Sequence, residues 1–258
     1  MILEEILEAK RGEVEAAKHL RPEASLRRRP LFGEQRRGFE RALRSRKGRR
    51  VIAEIKRRSP SRGTIRERFD PEEHARDYER HGATCLSVLT DRRFFGGMLE
   101  DLERARGACR LPLLRKDFLV DEYQIIEARA FGADAVLLIV AALTDQQLKA
   151  LLDVARTEGL DALVEVHTRE ELERAVEAGA TMVGINNRDL RTFETSVAVT
   201  RQLAPLVPGG IVVVSESGLA AGPDLADLER LGVDAFLVGE AFMRAPSPGA
   251  ALASFLRA

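Results

Sequence analysis

Tryptophan is absent from this chain of 258 residues, and cysteine, asparagine and tyrosine occur only twice each. Cys85 and Cys109 each lie in or beside an apolar segment, without a CxxC pair or the Cys/His spacing of a metal site. Two buried thiols in a reducing, cytosolic compartment are expected, with no metal centre. No apolar run approaches the roughly 18 residues of a membrane helix, so no membrane partner is expected. The N-terminus carries Glu4 and Glu5 early and lacks the long apolar stretch of a secretion signal. An excess of one charge is missing too, because 41 basic and 41 acidic residues cancel. That balance argues against a protein built to hold nucleic acid. A hydrophobic fraction of 45% excludes global disorder.

Lysine is scarce in a way that carries information. Of the 41 basic residues only six are lysine (Lys10, Lys18, Lys47, Lys56, Lys116 and Lys149), leaving 35 arginines. Arginine therefore serves wherever a plain positive charge suffices. An amine can lose its proton when desolvated and a guanidinium does not, so a retained lysine marks candidate proton-transfer or covalent chemistry. The only two asparagines, Asn186 and Asn187, are adjacent. Few amides and many ion-pairing groups fit either a thermophile or a GC-rich genome.

Short β-branched or Leu-rich runs recur at Val51–Ile55, Thr84–Leu89, Leu111–Leu114, Ala135–Val140, Ala162–Val166, Met182–Ile185, Ile211–Val214 and Ala235–Val238. Helical patterns separate them: Pro71–His81, Met98–Ala108, Asp121–Phe131, Thr144–Glu158, Arg169–Ala178, Ser196–Leu206 and Pro223–Leu231, with a last one near Pro248–Leu256. Thr144-Asp-Gln-Gln and Thr168-Arg-Glu-Glu read as capping boxes, and Asp70-Pro71 and Gly222-Pro223 place proline in a first turn. Gly82, Gly132, Gly179 and Gly232 each follow a helix and precede a strand. Eight strands alternating with eight helices predict an α/β protein of the (β/α)8 TIM barrel class. An open doubly wound sheet would show a Gly-rich turn after its first strand, and Ile55-Lys-Arg-Arg-Ser-Pro-Ser has none. Residues 1–48 form a helical extension, expected to pack on the barrel within a single domain spanning 1–258. Its first helix, Ile2–His19, carries Ile2, Leu3, Ile6, Leu7 and Val14 at helical spacing. A basic linker (Arg27–Phe32) and a short helix near Phe39–Arg44 follow.

Active sites in such barrels lie at the C-terminal ends of the strands. Strand 1 ends on Glu54 and Lys56, strand 3 on Lys116, strand 5 on Glu165, strand 6 on Asn186 and strand 7 on Glu216-Ser217-Gly218. Period-two alternation points Glu54, Lys116, Glu165 and Glu216 into one mouth, where crowded charges displace one another's pKa values. The competing reading for each is a solvated charge where strand meets loop. Ser217-Gly218 and Gly239 follow strands 7 and 8, where these barrels present backbone N–H groups to phosphate.

The segments Ala53-Glu-Ile-Lys-Arg-Arg-Ser-Pro-Ser61, Leu114-Arg-Lys-Asp-Phe118, Leu163-Val-Glu-Val-His167, Gly184-Ile-Asn-Asn-Arg-Asp-Leu190 and Ser215-Glu-Ser-Gly218 occur in this order. Together they resemble the indole-3-glycerol-phosphate synthase family, over the whole chain. The family pattern often has serine at Asn187 and a small polar residue at Glu240. The resemblance implies a phosphorylated small-molecule substrate, 1-(2-carboxyphenylamino)-1-deoxyribulose 5-phosphate, ring-closed with loss of CO2 and water, and no cofactor. It implies Lys116 as general acid and Glu165 in the dehydration. Lys56 would hold the anthranilate carboxylate, with Glu54, Asn186 and Glu216 orienting ligand and lysines. Arg188 would sit near the carboxylate, and Phe95, Phe118 and Leu190 would bed the aromatic ring. Phosphate would meet Lys56, Ser217, Gly218, Gly239 and Glu240. A monomer is expected, with a dimer as the alternative.

Rival readings are a Schiff-base aldolase using Lys116, a non-catalytic phosphosugar-binding barrel, and another barrel of the same tryptophan pathway, such as the isomerase with a Cys/Asp acid–base pair. The last is disfavoured because Cys85 lies inside strand 2. His167 is read as part of a helix start, Asp117 as structural, and His19, His74 and His81 as solvated.

Overall fold

The computed structural model describes residues 2–45, 48–60, 62–189 and 192–258. Lys47, Ser61 and Leu190, and the side chain of Ile2, lie outside the described residues. Eight parallel strands close a barrel: β1 (Val51–Ile55), β2 (Cys85–Leu89), β3 (Leu113–Lys116), β4 (Ala135–Ile139), β5 (Asp161–Val166), β6 (Met182–Asn186), β7 (Val212–Glu216) and β8 (Ala235–Val238). β8 returns to β1 with Val51 opposite Phe236 and Ala53 opposite Val238. The expected (β/α)8 barrel with an N-terminal helix is the architecture found.

Departures from the expected elements have local causes. β3 begins two residues later than its apolar run, because Pro112 has no N–H for the ladder and only its carbonyl is used, by Leu86. The helix expected over Ser196–Leu206 is α-helical only over Ala198–Leu203 and tightens to a 3-10 turn at Ala204–Leu206, where Pro205 lacks a donor. A short helix, Glu240–Met243, follows β8 and had no periodic signal. The Thr144 capping box forms, whereas at Thr168 only half of it does. Glu171 turns its carboxylate to the backbone N–H and ring of His167 instead. Gly82, Gly132, Gly179 and Gly232 all take positive φ, as four identical helix-to-strand turns require.

Alternation along the strands makes two apolar layers. Ile52, Leu114, Leu163, Met182, Val212 and Val214 point inward, and Val51, Ala53, Leu113, Val164, Val183 and Val213 meet the surrounding helices. Phe39 and Leu43, from the helix Phe39–Ser45, are fully buried among the inward set. Glu40 N–H bonds Asp161 and Arg44 bonds the Gly210 carbonyl, so this helix plugs the N-terminal end of the barrel. Asp134, wholly buried, accepts from Arg37 N–H, Leu113 N–H and Arg106, tying the extension to β3. The first helix, Ile2–Leu20, lies across the other end and reaches Asp121 through Lys18 at 2.8 Å. Both cysteines are buried, and neither forms a disulfide among the described residues. His74 is a correction: it is buried against Phe69, because its helix turns that face to the barrel and burial lowers its pKa. No helix among the described residues is long and apolar enough to cross a membrane.

The plug generates a test of the lower core. Phe39→Ala should destabilise the protein by about 3–5 kcal/mol in urea unfolding, the usual effect of deleting a buried phenylalanine. Substrate KM should stay put, since the plug lies at the end away from the strand C-termini. A loss under about 1 kcal/mol would show that the barrel floor does not depend on it.

Candidate functional site

The strand C-termini ring a cavity of about 360 Å³. Every site residue named above that the structure describes lines it: Glu54, Lys56, Phe95, Lys116, Phe118, Glu165, Asn186, Arg188, Glu216, Ser217, Gly218, Gly239 and Glu240. Alternation explains the convergence, since each inward aliphatic is followed two residues later by a polar one: Ile52 by Glu54, Leu114 by Lys116, Leu163 by Glu165, Val214 by Glu216. Leu137, Ile139 and Leu237 supply an apolar floor.

At the centre, Lys116 Nζ lies 3.0 Å from Glu165 Oε2 and 3.0 Å from Glu216 Oε2. Burial alone would discharge this amine, but Glu165, Glu216 and Glu54 outweigh it and hold the ammonium well above the ordinary lysine value. Burial pushes the Glu165 carboxyl up, yet Lys116, His167 and the Asn186 amide (3.1 Å) more than reverse that and keep it ionised. Glu216 goes the other way, to about 7, because burial and the neighbouring charge of Glu165 exceed the pull of Lys116. Lys56 pairs with Glu54 at 2.7 Å, as their common strand face predicts. Two glycines make room for this chemistry: a Cβ at Gly184 would collide with Glu216 Oε1, and one at Gly239 with Glu54 Oε1.

Ser217 and Gly218 take successive left-handed conformations, φ 65° and 67°, in the loop after β7. For Ser217 that geometry is strained, and such strain concentrates at ligand-holding turns. The Asn187 side chain braces this loop by donating to Ser215 Oγ and the Ser217 carbonyl and accepting from Thr200. The two asparagines thus divide: Asn186 faces the cavity and Asn187 lies behind it. Glu240 is met by Arg62 (3.3 Å), Arg188 (3.5 Å) and Arg244 (3.5 Å). Arg188 therefore stands beside Glu240 and the Phe193 carbonyl, toward the β8 loop. Across the mouth, the Phe95 and Phe118 rings lie 6.1 Å apart.

Sequence reasoning missed several lining residues. Arg62 and Arg244 carried no signal, because two arginines among 35 in loops look like any others. Leu3 and Ile6 were legible as an apolar stripe, but not as cavity wall. His167 Nε2 stands 3.5 Å from Glu165 Oε1, closer to the chemistry than a helix-start residue was expected to be. Its pKa is raised despite burial, through Glu171 and Glu165.

The chain is similar to known proteins along almost all of its length. The sequence profile described as indole-3-glycerol phosphate synthase matches residues 3–255. An indole-3-glycerol phosphate synthase of Bordetella pertussis is 52% identical over 255 residues, covering 98% of this chain and 97% of that protein. One from Burkholderia vietnamiensis is 51% identical with the same coverage. Among solved structures, thiamine phosphate pyrophosphorylase from Pyrococcus furiosus superposes with a TM-score of 0.60 at 19% identity, over 81% of this chain and 94% of its own, a likeness of fold alone. Identity near one half along almost the entire length settles the relationship: the chain belongs to the indole-3-glycerol phosphate synthase family.

Proposed function

We propose the following division of labour for the indole-3-glycerol phosphate synthase reaction in this barrel. The substrate is 1-(2-carboxyphenylamino)-1-deoxyribulose 5-phosphate. The anthranilate carbon bearing the carboxylate attacks the ribulose carbonyl, and Lys116 delivers a proton to the oxygen as charge develops there. An alkoxide is far more basic than an amine, so an ammonium held firmly protonated still transfers downhill. Loss of CO2 restores the aromatic ring, and loss of water completes the indole. Glu165 manages the proton of that dehydration, while Glu216 and Asn186 hold Lys116 and Glu165 in register. Lys56, oriented by Glu54, binds the anthranilate carboxylate. Phe95 and Phe118 bed the ring, the part that the family resemblance implies for Leu190 as well. The backbone of Ser217, Gly218, Gly239 and Glu240 receives the phosphate, with Lys56 contributing charge. Arg188, beside Glu240, belongs to this anionic end as well as to the carboxylate. The reading draws on groups of a single chain and takes a cytosolic monomer as its working unit.

The observation that carries the reading is the Lys116 ammonium clamped at 3.0 Å between Glu165 and Glu216. An amine so paired is a proton donor and a poor nucleophile, which disfavours an aldolase. Turnover is simple to follow, because the chain has no tryptophan and indole fluorescence comes from product alone. Fluorescence should rise when purified protein meets the substrate, and borohydride should trap no adduct. A dark assay, or covalent trapping, would overturn the function.

Three variants test the roles. Lys116→Arg keeps the charge but not the compact titratable donor, and kcat should fall about 10²–10⁴-fold; near-normal turnover would remove Lys116 from the acid role. Glu165 is ionised in the free enzyme with its pKa lowered by Lys116 and His167. Activity should therefore decline on the acid side only once pH falls through that depressed value. Glu165→Gln should abolish this limb of the kcat/KM profile along with most of kcat, whereas Glu54→Gln should keep a shifted limb. Identical profiles for the two variants would contradict the division. At the phosphate end, Gly218→Val should raise KM more than it lowers kcat, since φ 67° and the nearby Thr195 leave no place for a branched side chain. Inorganic phosphate should compete with substrate, and no competition would argue against that site.

A further inference from the structure

The N-terminal helix places a lysine where the reaction as described has no use for one. Lys10 is 4% exposed, and its Nζ lies 2.9 Å from Asp91, 2.9 Å from Asp117 and 2.7 Å from Glu13. Asp91 and Asp117 belong to different loops, after β2 and β3. Asp91 Oδ1 accepts the backbone N–H groups of Phe94 (2.7 Å) and Phe95 (3.1 Å). Asp117 Oδ1 accepts the N–H of Phe118 (2.9 Å), and its Oδ2 takes Thr90 Oγ1 and the Arg115 guanidinium. Each carboxylate therefore shapes the backbone that carries one of the two rings. Burial pushes Asp117 up, but Lys10 and Arg115 bring it down to about 2, so the pair is a permanent one. Two buried carboxylates this close to a single ammonium would repel each other without it. One and two turns before Lys10, Ile6 and Leu3 on the same helix face line the cavity itself.

We propose that Lys10 is a positioning residue for the aromatic half of the substrate: by joining Asp91 to Asp117 it fixes the spacing of Phe95 and Phe118. The inference rests on the reading of those two rings as the anthranilate bed. A shift of about 1 Å in a substrate-positioning group is enough to lower rates substantially, so a tie remote from the chemistry acts through KM and orientation. The phosphate end, built from the β7 and β8 loops, is independent of the tie.

Lys10→Met should raise substrate KM about tenfold or more while the inhibition constant of inorganic phosphate stays within about twofold. Lys18→Met supplies the comparison, because Lys18 anchors the same helix to Asp121, the cap of the helix after β3, without pairing with Asp91 or Asp117. It should leave KM unchanged. Equal effects of the two variants, or none from Lys10→Met, would overturn the proposal. Should Lys10→Met fail to fold, the double variant Lys10→Met/Asp91→Asn removes the unbalanced charge. It should recover stability yet keep the raised KM, and recovery of KM along with stability would show a purely structural lysine. Phe118→Leu in the same assay separates the premises. An unchanged KM there would remove the ring bed itself, whereas a raised KM beside a normal Lys10→Met would remove only the role of Lys10.

Discussion

A single buried ammonium organises the mouth of this barrel. Lys116 sits between Glu165 and Glu216, and each of the three is intelligible only through the other two. Removing one partner from such a buried cluster typically costs about 3–5 kcal/mol, because a charge is left without its counterpart. The arrangement holds one net negative charge when both carboxylates are ionised, and burial answers by raising Glu216 to about 7 while Glu165 stays low. Two carboxylates with one lysine between them thereby acquire different protonation behaviour, which is what a site needs if one group is to orient and the other to exchange protons.

The barrel supplies the convergence without special devices. Parallel strands alternate inward and outward, so the last inward position of each strand opens on the mouth. Odd strands deliver Glu54, Lys116, Glu165 and Glu216, and Asn186 on β6 enters beside Glu165. Gly184 and Gly239 occupy inward positions where any side chain would strike these carboxylates. The cluster needs bare backbone as much as it needs charge.

Strand alternation and the eightfold repeat made the barrel legible in the sequence, and Lys116 stood out because lysine is rare beside arginine. The four helix-to-strand glycines had an equally local cause. Legibility failed where the cause was tertiary. Arg62 meets Glu240 from a distant segment, Arg244 meets it one turn on along a short helix that had no periodic signal, and neither arginine differs locally from its many counterparts. The burial of His74 depends on which face of its helix the barrel covers. The links from Lys10 to Asp91 and Asp117 span 81 and 107 positions and have no periodic trace. A stripe of apolar residues announced that the first helix packs on something, but Leu3 and Ile6 as cavity wall needed the docked geometry.

Six lysines make the protonation of Lys116 directly observable. Its side-chain NMR signals can be assigned by Lys116→Arg and followed with pH in the free protein. Lys116 should remain an ammonium at and beyond the ordinary lysine value of about 10.4, held there by Glu165 and Glu216. Titration near neutrality would mean a neutral amine at the centre of the site, and would contradict the account of Lys116 as a clamped proton donor.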